Sequence, residues 1–298
     1  MKRALLAVVL GLCPLPGSAV AQDWESFRVE ARPLAPGVSL LSAAGGNLVA
    51  CHGPEGVLLV DSEYAQLTPK LRAAVAALGA GPRRLLVNTH WHFDHVGGNA
   101  ALAGDGATII AHARVRDRMQ KGQTIAIIDE TIPPAESAAL PTVTFTDSLT
   151  LHLNGETVDV WHLPGAHTDG DAVLRFRRAD VLHVGDLWFH GGYPFIDISS
   201  GGHIDGLIAA LDTLVAVAGD STRVVPGHGP LGTKAQLAAH RDMLREFRDI
   251  VAREIAAGKD LSEIIAEKAT ARLDATWGEK MFPPAAFTEI VYRSLKGS

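Results

Sequence analysis

The segment His90-Trp91-His92-Phe93-Asp94-His95 puts four metal-binding side chains into six residues, directly after an apolar run at 84–88. An extended strand turns alternate side chains to opposite faces, so His90, His92 and Asp94 share one side and Trp91 and Phe93 the other. The turn into Val96-Gly97-Gly98 brings His95 round to the same place. Neutral imidazole and carboxylate are ligands that Zn2+ accepts, and four such groups this close need two metals to occupy them. Three further candidates follow later β runs. His167 lies in Pro164-Gly165-Ala166-His167-Thr168 after the run 157–163, and Asp186 follows Gly185 after 181–184. His228 lies in Pro226-Gly227-His228-Gly229 after 223–225. Each falls on a loop over a sheet edge. Singly, each reads as a turn aspartate or a loop histidine. Together with the cluster, they supply the second half of a two-metal site.

The order His90-x-His92-x-Asp94-His95, then His167, Asp186 and His228, resembles the metallo-β-lactamase superfamily, over motifs running from about 38 to 228. The resemblance implies an α/β fold, a four-layer αββα sandwich with two Zn2+ at one edge of its two sheets. It implies that His90, His92 and His167 hold the first zinc, that Asp94, His95 and His228 hold the second, and that Asp186 bridges them. Asp61, ending the run 57–61, matches an aspartate that recurs in the family behind a ligand histidine. The implied activity is zinc-dependent hydrolysis of a small molecule by hydroxide shared between the metals, with Asp94 as the catalytic residue that orients it. Lactams, lactones, esters and thioesters all yield to such chemistry. The leading expectation is an exported hydrolase similar to β-lactamases, the enzymes of antibiotic resistance, opening a β-lactam or a related acyl bond. A thioesterase or lactonase similar to glyoxalase II is the alternative, and a diiron redox protein a more distant one. Zinc β-lactamases of the family usually have cysteine or serine where this chain has Asp186, whereas its thioesterases and lactonases share Asp186 and His95.

Around the motifs, composition narrows the field. At 47% hydrophobic and 20% charged, the 298 residues are too apolar for a disordered chain. A formal net charge of -6 argues against a nucleic-acid partner. Lys2 and Arg3, an apolar run at 4–12 and Ala19-Val20-Ala21 form the pattern of a signal peptide over 1–21, cut after Ala21, so the protein is expected to be periplasmic or secreted. That run is too short to span a bilayer, and no membrane partner is expected. Cys51 is then the one cysteine left and reads as a small buried hydrophobe.

Residues 22–298 are expected to form one hydrolase domain with a helical C-terminal region from about 233. Strands are expected at 27–32, 38–42, 47–52, 57–61, 84–88, 108–111, 143–145, 149–153, 157–163, 172–176, 181–184 and 223–225. Helices are expected at 67–78, 113–121, 204–217 and 235–257, and 131–141, with three prolines, reads as a surface loop. The apolar stripe on 235–257 reads as core packing rather than a dimer face. His52, His112, His152, His162, His183, His203 and His240 read as ordinary core or surface residues. His190 is left outside the ligand set. The glycine-bounded segment 190–202 is the substrate-side candidate, with Tyr193 either facing the substrate or serving as a plain loop aromatic.

Overall fold

The computed structural model describes residues 23–278 and 282–297; the leader expected at 1–21 lies outside the described residues. The chain first builds an antiparallel meander of β1 (Glu30–Ala35), β2 (Val38–Ser42), β3 (Leu48–Gly53) and β4 (Gly56–Val60). Helix α1 (Thr68–Ala77) crosses to the parallel strand β5 (Arg83–Val87), and α2 (Phe93–Val96) and α3 (Asn99–Gly104) lead to the parallel β6 (Thr108–His112). Helix α4 (Ala113–Lys121) and a small hairpin, β7 (Gln123–Ile125) and β8 (Glu130–Ile132), precede β9 (Val143–Phe145). These strands form a seven-stranded sheet in the order β1-β2-β3-β4-β5-β6-β9. The second sheet holds β10 (Ser148–Leu153), β11 (Glu156–His162), β12 (Ala172–Phe176), β13 (Val181–His183) and β14 (Arg223–Val225) in sequence order. Helix α5 (Ile204–Val217) makes the crossover to the parallel β14. The C-terminal helices are α6 (Lys234–Ala256), α7 (Leu261–Ala266), α8 (Ala271–Trp277) and α9 (Pro284–Lys296).

Alternation along the strands sorts these elements into layers. Leu41, Leu48, Leu59 and Leu86 face outward from the first sheet and meet Leu71, Ala74 and Leu102 of α1 and α3. Their neighbours Val49, Leu58, Val60 and Val87 face inward and meet Val158, Val160, Leu174 and Phe176 of the second sheet. From the far face of that sheet, Val173, Leu182 and Val224 pack on Leu207, Leu211, Leu244, Phe247 and Ile290 of α5, α6 and α9. The result is the expected αββα sandwich, because both faces of each sheet are apolar and each needs a cover. The stripe on α6 is core, with Leu237, Met243, Leu244, Phe247, Ile250 and Val251 all buried. Its start is set by a capping box between Thr233 and Gln236.

Two expected segments move. The first strand begins at Glu30 rather than 27, and its pairing with β2 is irregular between Pro33 and Ala35. An edge strand tolerates that proline because the missing N–H has no ladder partner to lose. Within 131–141, Thr131 pairs with Thr124 across the β7–β8 hairpin, their hydroxyls 3.1 Å apart, and Ser137–Ala139 forms a 3-10 turn. Among the described residues, no helix is long and apolar enough to cross a membrane.

Strands β4, β5, β11, β13 and β14 all finish at one edge of the sandwich, and the candidate residues follow those ends. Asn47 ties the two sheets together there. Its carbonyl accepts from His183 Nε2 at 2.8 Å, and its amide donates to the carbonyls of Pro226 and Gly229 on either side of His228.

Candidate metal centre

Beyond β5 the chain bends at Thr89 and His90 and is extended at His92 (φ −63°, ψ 147°), with the His90 and His92 rings meeting on one side and Trp91 pointing oppositely. Trp91 is buried in the apolar cluster behind the second sheet and anchors the motif. The expected alternation stops there. Phe93–Val96 is a helical turn, so Asp94 reaches the cluster from a helix rather than from the strand. The turn is possible because Gly97 and Gly98 lie tight against the backbone of Ser62 and Glu63, where side chains would collide. Below it, Asn88 and Asn99 exchange amide hydrogen bonds at 2.8 and 3.1 Å and lock the end of β5 to the start of α3.

The structure brings all seven expected residues together. His92 Nδ1 lies 3.1 Å from His90 Nε2 and 2.9 Å from His167 Nε2. Asp94 Oδ2 lies 3.6 Å from His95 Nε2 and 3.3 Å from His228 Nε2. Asp186 stands between the two groups. Its Oδ2 is 3.7 Å from His90, 3.6 Å from His167 and 3.4 Å from His228, while Oδ1 is 3.1 Å from His95. The donor atoms fall into two sets, His90, His92, His167 and Asp186, and Asp94, His95 and His228, each within 4.8 Å of one another.

Asp94 Oδ2, His95 Nε2, Asp186 Oδ1 and His228 Nε2 are buried without a hydrogen-bond partner. Buried polar atoms rarely stay unpartnered, and four of them converging on one point fit a cation. The imidazoles and carboxylates present are nitrogen and oxygen donors suited to a divalent metal.

Most of the ligand-type histidines are aimed by a second contact on the opposite ring nitrogen. Asp61 Oδ2 accepts from His95 Nδ1 at 2.8 Å, and Asp61 is itself held by the amide and hydroxyl of Thr89, both at 2.7 Å. His90 Nδ1 meets the Thr89 hydroxyl at 3.0 Å, and His167 Nδ1 donates to the Phe195 carbonyl at 2.9 Å. His92 Nε2 meets Asp197 Oδ2 at 3.0 Å. Such contacts select the tautomer and fix the ring. Asp171 holds the His167 loop by accepting the amides of His167 and Thr168 at 2.7 and 2.8 Å.

Electrostatics divides the two groups. Burial drives His90 well below its ordinary range, and it drives His167 down to about 4. Burial also works against a charge on His95 and His228, but here carboxylates win. Asp186, Asp94 and Asp61 carry His95 well above the usual histidine range, and Asp186 and Asp94 carry His228 up to about 10. Against their own burial, the facing histidines hold Asp94 and Asp186 below the usual carboxylate range.

The segment 190–202 contributes in an unexpected way. Tyr193 is fully buried, donates to Asp274 Oδ1 at 2.8 Å and stacks on Phe287, so it joins the C-terminal helices to the core. The segment's contribution to the site is Asp197, which sequence reasoning missed, as it missed Thr89 and Asp171. An acidic residue beside Ile198-Ser199-Ser200 gives no local signal, because its partner His92 lies 105 positions away. His190 stays outside the cluster, with Nδ1 donating to the Pro230 carbonyl. His112 and His203 cap α4 and α5. Cys51 is buried in the inter-sheet core, and burial pushes its thiol up to about 11, away from any reactive thiolate.

Comparison with known proteins agrees with this arrangement. Residues 46–228 match the model of the metallo-beta-lactamase superfamily. The chain is 30% identical over 185 residues to a hydroxyacylglutathione hydrolase of Polaromonas sp. (strain JS666), covering 61% of this chain and 60% of that protein. It is 27% identical over 161 residues to the metallo-beta-lactamase type 2 of Bacteroides fragilis, covering 54% of this chain and 59% of that one. The chain thus spans about three fifths of the length of these relatives. A solved metallo-beta-lactamase from Pontibacter korlensis shares the fold, with a TM-score of 0.61 at 19% identity over 73% of this chain and 99% of that one.

Proposed function

This chain belongs to the metallo-beta-lactamase superfamily, and on that premise we propose that it is an exported dinuclear zinc hydrolase opening a cyclic amide or a related acyl bond in a small molecule. One observation carries the dinuclear part of this reading, which lactam and thioester hydrolysis share: a single carboxylate, Asp186, stands within 3.7 Å of histidines from both donor groups. His90 Nε2, His92 Nδ1 and His167 Nε2 would hold one ion, Asp94 Oδ2, His95 Nε2 and His228 Nε2 the other, and Asp186 both. When bound, such ions activate water near neutral pH and polarise the acyl oxygen.

The chain's own side chains do the rest. Asp94 has one oxygen among the ligand nitrogens and a second able to accept a hydrogen bond from the attacking water, which orients it as a catalytic residue. His228, 13% exposed where Asp94 and Asp186 are 4% and 2%, marks the side from which a substrate arrives. Phe195, buried beside His92 and His167, keeps bulk water from the rear of the cluster. Export is supported by the charged, apolar and small-residue pattern of 1–21.

A thioesterase is the second reading. It is favoured by an aspartate at position 186 and by the likeness to the hydroxyacylglutathione hydrolase. The experiment that separates them is kcat/KM of the zinc-loaded protein for a carbapenem, a cephalosporin, a lactone and a glutathione thioester, each with and without chelator. Chelator-sensitive lactam turnover at or above ~10⁴ M⁻¹s⁻¹ supports the first reading, since that is the ordinary enzyme range. Slow lactam turnover beside fast thioester cleavage supports the second. No chelator-sensitive turnover of any of the four sinks both. A visible absorption band in the protein as purified would point instead to iron. Asp186→Cys sharpens the choice: the ratio of lactam to thioester turnover should shift if the bridging carboxylate sets preference, and an unchanged ratio counts against that role.

A further inference from the structure

The turn after β4 takes hold of His95 from two directions. Asp61 accepts from its ring Nδ1, and the Ser62 amide donates to its backbone carbonyl at 2.8 Å. Asp61 and Glu63 both adopt left-handed backbone, with φ of 62° and 60°, which side-chain-bearing residues rarely do without compensation. We propose that Glu63 is a positioning residue: its carboxylate latches the loop 43–47 over the His95 ring and so shapes the second half of the metal centre. This rests on the reading of His95 as a metal ligand.

The loop explains why a latch is needed. Gly46 lies so close to the His95 imidazole that a methyl group there would overlap the ring, and a Cβ at Gly45 would come within 3.0 Å of the Asp94 carbonyl. The far end of the loop is pinned at Asn47, through its bonds to the second sheet. The near end is pinned by Glu63, whose two carboxylate oxygens lie 3.2 and 3.0 Å from the Gly45 amide that donates to them. Oε2 also accepts from the Tyr64 amide at 3.3 Å. His95 is thereby clasped between Asp61 on one ring nitrogen and the backbone of Gly46.

Glu63 is fully buried, and among the described residues no lysine or arginine pairs with it. Burial pushes its carboxyl up to about 7. A carboxyl kept in such surroundings with backbone amides for partners is there for its acceptor oxygens and their reach. Its charge is the rival explanation, since an anion near two cations would assist them by simple attraction.

Two substitutions separate reach from charge. Glu63→Gln keeps an acceptor oxygen at the same distance and loses the charge, whereas Glu63→Asp keeps the charge and is one methylene short of Gly45. The full-length protein, stripped by chelator, is titrated with cobalt(II) and followed by visible absorption, and amide hydrogen exchange of 43–47 is measured in parallel. Glu63→Gln should bind two equivalents like the wild type. Glu63→Asp should weaken the second equivalent about 10-fold, the low end of what loss of a supporting contact does to metal affinity. It should leave the first equivalent unchanged and speed exchange at 45–47. The reverse pattern, or wild-type behaviour in both, overturns the latch. Should Glu63→Asp not fold, Gly46→Ala takes its place, because its methyl must displace the loop or the ring. It should lose the second equivalent selectively, and an unaffected titration overturns the proposal. A wild-type protein that takes up no cobalt refutes the metal reading and the latch with it, whereas two equivalents bound by both wild type and Glu63→Asp refute the latch alone.

Discussion

The two halves of the candidate centre are built from opposite electrostatic materials. The half made by His90, His92 and His167 is all imidazole, and burial keeps His90 and His167 neutral. The half made by Asp94, His95 and His228 mixes carboxylate with imidazole, and without metal its histidines hold protons opposite Asp94 and Asp186. A metal entering the first half meets free lone pairs. A metal entering the second must displace protons, because a ligating imidazole is neutral. The difference makes the first half the preformed site and the second the pH-sensitive one, with Asp186 coupling them.

The largest effect should come from breaking the preformed half. His90→Ala or His167→Ala should remove metal from the first site and lower turnover by at least ~10²-fold, the scale of losing one preorganised charge-stabilising group. The fold should survive, since the apolar layers do not depend on the edge. Metal content by atomic emission, beside kcat, checks this, and wild-type values for both would remove the assignment of these residues.

The next effect distinguishes the halves by their supports. Asp197 backs His92 and Asp61 backs His95, so Asp197→Asn should weaken the first metal equivalent and Asp61→Asn the second, each by about 10- to 100-fold. Competition titration with a chromophoric chelator resolves the two steps. If both substitutions weaken the same step, the two supports do not serve separate halves.

A smaller effect concerns the metal-free protein. His228 is raised from 6.5 to about 10, so the folded chain holds a proton there that the unfolded chain releases. Its contribution to stability is complete below about 6.5 and is lost as pH rises toward about 10. The melting temperature of chelated protein should therefore fall between pH 6.5 and 10, and His228→Asn should flatten that fall. A flat profile in the unsubstituted protein would show that the second half is not proton-linked.

The contrast between Asp94 and Asp197 shows what a sequence can and cannot display. Four ligand-type residues stand together in the motif 90–95 and three more, His167, Asp186 and His228, stand singly beside glycine-containing turns after later β runs, so alternation and turn chemistry expose all seven. The layers were legible too, because residues such as Leu58 and Leu59 must face different covers. Asp94 reaches the cluster from a helical turn rather than from the strand that alternation implies, since a one-turn helix is decided by the close approach of Gly97 and Gly98 to another segment. Asp197 and Glu63 act on partners brought near only by the fold, His92 and Gly45, and nothing in their own neighbourhoods marks them. Long-range polar contacts leave no period to read.

Tyr193 gives the smallest and most diagnostic test of that contrast, because it lies four positions from Asp197 and serves the opposite purpose. Its ring is stacked on Phe287 and edge-on to Phe247, and its hydroxyl donates to Asp274 at 2.8 Å, facing the C-terminal helices rather than the metal edge. Tyr193→Phe keeps the stacking and removes one hydrogen bond, a loss of about 1 kcal/mol. In a domain of this size that lowers the melting temperature by roughly 2–4 °C. kcat/KM should stay at the wild-type value, since no part of the side chain reaches the cluster. A drop in kcat/KM with an unchanged melting temperature would instead put Tyr193 on the substrate side, and would mean that the segment 190–202 moves when a substrate binds.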